Sequence, residues 1–302
     1  MLDTLRDRRQ QLHERRRRER AEAELRSYLI ARGGNFVQRV EPGPPWTRDL
    51  VLQTAVQTES RVPILLNPDR YFASGSEMLL RYLRVAEAHG FNVRTTRAVL
   101  EFGCGSARII RHLRAMTGIR LVGSDINPDS TAWCRDNVPG IEFYRNGLEP
   151  PLDFAKDDTF DLVIASSVFT HIPLDNQGPW LGEISRIVRP GGYFLCTVEG
   201  QVKERQMLTD EQLRELKERG ELCLDSTTAN VSVSTRVTGT WDVFQARPRV
   251  LAAFAEHFDV IDYLPGNQDL VVARAPLEHF DGPNWPPSVA PSSSDAARAN
   301  WV

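Results

Sequence analysis

The residues most able to do chemistry begin with a glycine pair that follows an apolar run. Gly103 and Gly105 come directly after residues 99–102, whose composition predicts a strand. A Gly-x-Gly turn lets a ligand touch main chain where any side chain would collide. Asp125 ends the next apolar run, 20 residues after Gly105, where a carboxylate accepts the ribose hydroxyls of an adenosine ligand. This spacing predicts a nucleoside site, with Ile126 covering the adenine face.

Two classes of adenosine ligand fit this spacing. A nicotinamide dinucleotide is one, but Arg108 stands where a third glycine normally lets helix and strand approach beside a pyrophosphate. Glu101, inside the predicted strand, is negative and suits the cationic end of S-adenosylmethionine better than a diphosphate. The residues therefore favour S-adenosylmethionine and leave the dinucleotide as the minor alternative.

Four motifs in order resemble those of the class I S-adenosylmethionine-dependent methyltransferases, over roughly residues 70–275. They are Leu100-Glu101-Phe102-Gly103-Cys104-Gly105, Gly123-Ser124-Asp125-Ile126, and the segments 160–167 and 183–193. The resemblance implies that the glycine turn holds the methionine portion of S-adenosylmethionine and that the acid after the second strand binds ribose. It also implies the sheet order 3-2-1-4-5-7-6, with the seventh strand antiparallel. The cofactor-binding residues expected on this basis are Glu101, Gly103, Cys104, Gly105, Asp125, Ile126, Asn146 and Ser166.

Asn146 departs from the family pattern, because the adenine-side position after the third strand is often acidic there. Its amide carbonyl still pairs with the adenine amino group. An equally open interpretation is a simple turn residue before Gly147.

Alternating strands and helices predict a doubly wound α/β fold with a seven-stranded, mostly parallel sheet. The expected strands are 99–102, 120–124, 141–145, 161–166, 193–198, 258–263 and 269–273, and the expected helices include 107–116, 128–137, 178–188 and 248–256. A T-x-x-Q capping box starts a further helix that closes at Gly220.

The chain divides into four predicted regions. They are a basic charged helix over 1–34, an N-terminal cap region over 35–95, a catalytic domain over 96–277 with a β insertion or lid at 221–245, and a disordered tail over 278–302. Residues 1–34 hold ten arginines and six acidic residues. A solvated or weakly self-associating helix, which would make a homo-oligomer, is favoured over an arm for nucleic acid or anionic membrane.

Composition narrows the function classes. The 302 residues carry a net charge of −3, which argues against a broad nucleic-acid surface. No apolar run reaches the ~20 residues of a membrane span, and the arginine-rich start is unlike a secretory signal, so we expect a cytoplasmic protein. The four cysteines lie far apart, which indicates reduced thiols and no metal site.

The methyl acceptor is less well specified. His171, just after the fourth strand, is the candidate general base, although it equally fits packing or capping of the next helix. Glu199 and Asp242 are weaker candidates. Trp241 and Phe244 either wall an acceptor pocket or pack against the sheet.

Two functions of different classes remain open from the sequence. The favoured one is an O-methyltransferase acting on a small molecule or a glycan, as in the bacterial enzymes that the chain resembles, with N-methylation of a small molecule as an alternative. The other is a scaffold that keeps the cofactor fold without catalysis. Nucleobase methylation is disfavoured, since residues 166–169 lack the Asn- or Asp-Pro-Pro-aromatic motif of enzymes that methylate exocyclic amines.

Overall fold

The computed structural model describes residues 2–33, 44, 68–225 and 241–277. The predicted tail over 278–302, residues 226–240 of the predicted lid and nearly all of 34–67 lie outside the described residues. Within the described ranges, no helix combines the length and apolarity needed to cross a bilayer.

The strands form a seven-stranded sheet and a separate two-stranded sheet. Their bounds are β1 Ala98–Phe102, β2 Arg120–Asp125, β3 Glu142–Arg145, β4 Phe160–Ala165, β5 Val188–Glu199, β6 Glu221–Asp225, β7 Trp241–Gln245, β8 Asp259–Leu264 and β9 Gln268–Arg274. The large sheet runs β3-β2-β1-β4-β5-β9-β8, and β9 is antiparallel to both of its neighbours. The predicted order 3-2-1-4-5-7-6 is confirmed, with β8 and β9 as the sixth and seventh strands of that scheme. The small sheet pairs β6 with β7.

The helices follow the predicted alternation with shifted ends. They are α1 Leu2–Gly33, α2 Pro68–Ala88, α3 Pro128–Asn137, α4 Leu174–Ile187, α5 Gln201–Met207, α6 Asp210–Arg219 and α7 Arg247–Ala255. The capping box of α6 is present, with Thr209 and Gln212 exchanging side-chain to backbone hydrogen bonds. Helix α4 begins four residues earlier than the predicted start at 178, and Pro179 lies inside it.

The predicted helix over 107–116 is shorter than expected. The segment is a 3-10 helix over Ile110–Ala115. Ala107 has a left-handed φ of 59°, which prevents an α-helix from starting there. The guanidinium of Arg111 donates to the carbonyl oxygens of Ser106 at 2.6 Å and Ala107 at 2.9 Å, the acceptors that a first helical turn would use.

The core lies in two layers, one on each face of the sheet. Alternate residues of β1 face opposite layers, as the strand period requires. Val99 packs in the layer that contains Leu83 of α2, whereas Leu100 and Phe102 pack in the layer that contains Trp180 of α4. Burial of β1 on both faces fixes its carboxyl end, where the glycine turn begins.

The basic helix α1 packs on α2 of the same chain. Its Leu25 and Leu29 are buried in the first core layer, and Arg17 pairs with Glu77 of α2 at 2.6 Å. Part of the apolar surface that self-association of this helix would use is thus buried within the chain. Leu12 stays exposed, and a homo-oligomer through this helix stays a prediction.

Gly75 lies where α2 crosses the segment after the glycine turn, and we predict that this approach tolerates no side chain. A Cβ at Gly75 would lie 2.1 Å from the carbonyl oxygen of Arg108, a backbone atom that cannot swing aside. Gly75→Ala should lower the free energy of unfolding by about 2 kcal/mol. Gly178→Ala in α4 is the matched control, because nothing lies within 4 Å of its added Cβ, and it should raise stability by up to ~1 kcal/mol. Urea denaturation of the two variants measures both changes, and equal effects would contradict the close approach.

Candidate active site

The glycine turn leaves β1 in a conformation that needs glycine. Gly103 and Gly105 have φ values of 70° and 51°, in the left-handed region. A Cβ on Gly103 would lie 2.3 Å from Cγ2 of Val168, so the turn also packs against the segment that leaves β4. The loops after β1 and β4 are therefore held side by side at the carboxyl edge of the sheet, where ligands bind in folds of this kind.

Asp125 is fixed beside this turn by two backbone hydrogen bonds. Its Oδ2 accepts from the N–H of Gly105 at 2.7 Å, and its Oδ1 accepts from the N–H of Asn127 at 2.8 Å. A carboxylate oxygen accepts more than one hydrogen bond. The arrangement holds the carboxylate in one orientation, as the ribose prediction requires.

A cavity of about 110 Å³ lies between the glycine turn and the end of β4. It is lined by Glu101, Gly103, Cys104, Gly105, Ser106, Arg108, Ile109 and Ser166. Five of the eight predicted cofactor residues meet here. Asp125, Ile126 and Asn146 do not line this cavity; they follow β2 and β3 at the same edge of the sheet.

The side-chain amide of Asn146 makes a hydrogen bond through its nitrogen and not through its oxygen among the described residues. Its Nδ2 donates to the carbonyl oxygen of Gly147 at 2.8 Å, whereas its buried Oδ1 has no hydrogen-bond partner among the residues that the structure describes. An open carbonyl oxygen is the atom that would accept from an adenine amino group. The open Oδ1 favours the interpretation of Asn146 as an adenine-binding residue over that of a plain turn residue.

Sequence reasoning missed some residues of the cavity. Arg108 lines it, although the sequence analysis used Arg108 only against a dinucleotide. Tyr82 of α2 reaches it indirectly, since its hydroxyl is 2.9 Å from Oγ of Ser166. Position within the glycine motif could have indicated Arg108, whereas no local pattern marks Tyr82, which is 84 residues away from its partner.

Glu101 is a buried carboxyl at the floor of the cavity. It is 3% exposed, and its Oε2 accepts from the N–H of Ile110 at 2.9 Å. Burial raises the pKa of Glu101 to about 8, against the lowering effects of that hydrogen bond and of Arg108 and Arg111. The folded state holds this proton more tightly than the unfolded chain, so the stabilisation is present below pH about 4.5 and is lost as the pH rises through about 8.

The raised pKa predicts how cofactor affinity depends on pH. A cation beside Glu101 favours the ionised carboxyl, so the affinity for S-adenosylmethionine should rise between pH 6 and 8 by up to about tenfold per pH unit. Calorimetric titration across this range measures the slope. Glu101→Gln should flatten it, whereas Glu149→Gln, which changes an exposed carboxyl, should leave it unchanged. An equal slope for 5′-methylthioadenosine, which carries no cation, would contradict the assignment.

A second cluster of polar groups lies around His171, just after β4. Nδ1 of His171 lies 2.9 Å from the carbonyl oxygen of Trp241 and 3.6 Å from Oδ1 of Asp242. The backbone N–H of Val243 donates to the carbonyl oxygen of Thr170 at 2.9 Å, which ties β7 to the same loop. Asp242 is buried, and burial raises its pKa, while the charge of His171 opposes that rise.

The two aromatic residues predicted on the acceptor side, Trp241 and Phe244, lie in different surroundings. Phe244 is fully buried in a small cluster with Leu208, Leu216 and Leu222, so its packing interpretation is the one that the structure shows. Trp241 is half-buried and contributes its backbone carbonyl to His171.

Two further features lie apart from these groups. A larger open groove of about 610 Å³ runs along α7 and β8, and none of the predicted site residues lines it. In the described part of the chain, no group of three or more His, Cys, Asp or Glu side chains is placed to hold a metal ion.

Comparison with known proteins finds a family model that matches part of the chain. Residues 100–196, from β1 into β5, match the family model described as a methyltransferase domain. The relatives include a phthiotriol/phenolphthiotriol dimycocerosates methyltransferase of Mycobacterium ulcerans, 32% identical over 41% of this chain and 46% of its own length. A ribosomal protein L11 methyltransferase of Pseudomonas paraeruginosa is 30% identical over 51% of this chain and 48% of its own. A fatty-acid O-methyltransferase of Mycolicibacterium smegmatis is 34% identical over 33% of this chain and 36% of its own.

Coverage of these proteins is partial. The chain spans about half the length, or less, of the curated relatives it matches. Among solved structures, an S-adenosylmethionine-dependent methyltransferase of Methanosarcina mazei aligns with 64% of this chain and 98% of its own, at 18% identity and a TM-score of 0.49. Residues 100–196 thus match a methyltransferase domain, and the seven strands follow the order that the resemblance to class I S-adenosylmethionine-dependent methyltransferases implied.

Proposed function

We propose that this chain catalyses methyl transfer from S-adenosylmethionine to a hydroxyl group of a small molecule or sugar. His171 is the general base in this proposal, and the residues around the glycine turn hold the cofactor. The orientation of the His171 ring carries the assignment of a hydroxyl acceptor, because a neutral hydroxyl needs a base when it attacks.

The ring of His171 is oriented by a group that only accepts hydrogen bonds. A carbonyl oxygen 2.9 Å from Nδ1 means that Nδ1 carries the hydrogen and donates it to Trp241. In the neutral ring, Nε2 then carries the lone pair and is the atom free to take a proton. The side chain is 33% exposed, so small molecules in solution have access to it. Asp242 stabilises the imidazolium that forms, as a buried carboxylate beside a histidine does.

The cofactor fits the residues at the edge of the sheet. The main chain of Gly103 and Gly105 allows the methionine portion to approach closely, and Glu101 faces its cationic end. Asp125 accepts the ribose hydroxyls, and Oδ1 of Asn146 accepts the adenine amino group. When bound, the cofactor supplies a methyl group on a sulfonium, which leaves as a neutral thioether.

The protein's part in the reaction is alignment and proton removal. Methyl transfer is a one-step displacement, so the loops after β1 and β4 must place the acceptor oxygen in line with the methyl carbon. Nε2 of His171 accepts the hydroxyl proton as the oxygen attacks. The names of two relatives point to different acceptors, a fatty acid and a ribosomal protein, so the acceptor class proposed here depends on the geometry of His171.

Calorimetric titration of the purified, folded chain tests the cofactor half of the proposal. S-adenosylmethionine and S-adenosylhomocysteine should bind, and NAD should not. Formation of S-adenosylhomocysteine with panels of hydroxyl and amine compounds then tests the acceptor half. Turnover with amines alone would favour N-methylation, and a folded chain that binds neither sulfur ligand would favour the scaffold function.

A further inference from the structure

We propose that the acceptor carries a protonated amine close to the hydroxyl that is methylated, and that Glu199 binds this ammonium group. The proposal rests on the function proposed above, because it assigns the acceptor side of the same site. It comes from a carboxylate that the proposed reaction does not use.

A relay of polar side chains fixes Glu199 at the end of β5. Oε1 of Gln268 accepts hydrogen bonds from Oγ of Ser167 at 2.7 Å and Oγ1 of Thr197 at 2.9 Å. Its Nε2 therefore faces the other way and donates to Oε1 of Glu199 at 3.1 Å. One oxygen of Glu199 is thus held in place by an amide whose own orientation is set.

The other oxygen of Glu199 has nothing to bind. Glu199 is 7% exposed, and its buried Oε2 has no hydrogen-bond partner in the described part of the chain. A buried carboxylate oxygen without a hydrogen-bond donor is costly. A relay that positions a carboxylate and leaves one oxygen open is the arrangement expected of a ligand-binding group.

The charges around Glu199 favour a cation over a neutral donor. Asp242 and Asp269 are both negative neighbours of Glu199. Asp242 is also buried, and its Oδ2 has no hydrogen-bond partner among the described residues. The charge of Lys203 opposes these neighbours by lowering the pKa of Glu199, and the charge of His171 lowers the pKa of Asp242. Burial is the main cause that raises the pKa of Glu199 to about 7, and the hydrogen bond from Gln268 and the charge of Lys203 only partly offset it. An ammonium group supplies both the missing charge and donors for the open oxygens, whereas a neutral diol supplies only donors.

The relay begins beside the cofactor cavity. Ser166 lines that cavity, and the next residue, Ser167, starts the relay with a left-handed φ of 57°. A non-glycine residue held in this region is a strained conformation of the kind that clusters at functional sites. The strain is maintained by a hydrogen bond of 2.7 Å from the N–H of Ser167 to Oγ1 of Thr197. Glu199 is therefore tied, through Gln268 and Ser167, to the loop that adjoins the cavity.

The wild-type protein can be tested without knowing the natural acceptor. The probe is 2-aminoethanol, with ethylene glycol as its neutral counterpart, both added to protein saturated with S-adenosylhomocysteine. Carbon-13 NMR of glutamate-labelled protein follows the carboxyl of Glu199, whose signal is identified by its loss in Glu199→Gln. We expect 2-aminoethanol to lower the pKa of Glu199 by at least about 1 and ethylene glycol to leave it unchanged.

Two variants distinguish a specific contact between the amine and Glu199 from a general effect of negative charge. Glu199→Gln should weaken 2-aminoethanol binding by about tenfold or more and leave the affinity for S-adenosylhomocysteine intact. Glu204→Gln is the matched control, since Glu204 in α5 is a half-buried neighbour of the same acidic region, and it should change neither affinity.

Each outcome decides the proposal. Equal effects of 2-aminoethanol and ethylene glycol, an unchanged pKa of Glu199, or equal 2-aminoethanol binding by wild type and Glu199→Gln would overturn it. Failure of the folded wild type to bind S-adenosylhomocysteine would instead count against the proposed methyltransferase activity. Cofactor binding without an effect of the amine would reject the ammonium site alone.

Discussion

Asp125→Ala should lower the affinity for S-adenosylmethionine by at least about 100-fold, equivalent to ~3 kcal/mol. A carboxylate that accepts two ribose hydroxyls makes charge-assisted hydrogen bonds, and its loss leaves both hydroxyls without acceptors. The same oxygens hold the N–H groups of Gly105 and Asn127, so the variant also loosens the glycine turn. Titration calorimetry measures the affinity, with circular dichroism to show that the variant is folded.

A ligand that lacks the two hydroxyls separates ribose recognition from the loosened turn. Wild type should bind adenosine far more tightly than 2′,3′-dideoxyadenosine, and Asp125→Ala should bind the two alike. Asp136→Ala, which removes an exposed carboxylate of α3, should behave as wild type. If Asp125→Ala still prefers adenosine as strongly as wild type does, another group binds the ribose.

The sheet could be predicted from local sequence because its strands are buried on both faces. Residues 99–102 and 161–166 are mostly apolar and are bounded by turn residues, and the glycine motif marks the strand from which the order is counted. The resemblance supplied that order, including the antiparallel strand. Periodicity failed at 107–116, where a left-handed Ala107 and the side chain of Arg111 replace the contacts of a helical turn.

The acceptor side could not be predicted in the same way, because its contacts join distant parts of the chain. His171 meets the carbonyl of Trp241 across 70 residues, and Gln268 reaches Ser167 across 101 residues. Sequence could name His171, Glu199 and Asp242 as candidates by their type and position. Only the packing of β7 and β9 shows which of their atoms are held and which are open.

His171→Ala should lower kcat by about 10²- to 10⁴-fold and leave the affinity for S-adenosylhomocysteine within about twofold of wild type. The reason is that Nε2 is the proposed proton acceptor, while no cofactor-cavity residue depends on the ring. Rates with the hydroxyl acceptor found by screening measure the effect. His89→Ala is the matched control, because His89 pairs with Asp262 and lines no part of the cofactor cavity.

A packing role for His171 makes a different prediction from a role as base. Added imidazole should restore part of the rate of His171→Ala if the ring takes a proton, since a free imidazole can occupy the space and accept it. It should restore nothing if the ring only supports the loop after β4. Asp242→Asn should fall between wild type and His171→Ala, because the carbonyl of Trp241 still orients the ring while the stabilising charge is lost. A full rate in His171→Ala would transfer the role of base to another group, and a loss of cofactor affinity would show that the histidine holds the loop instead.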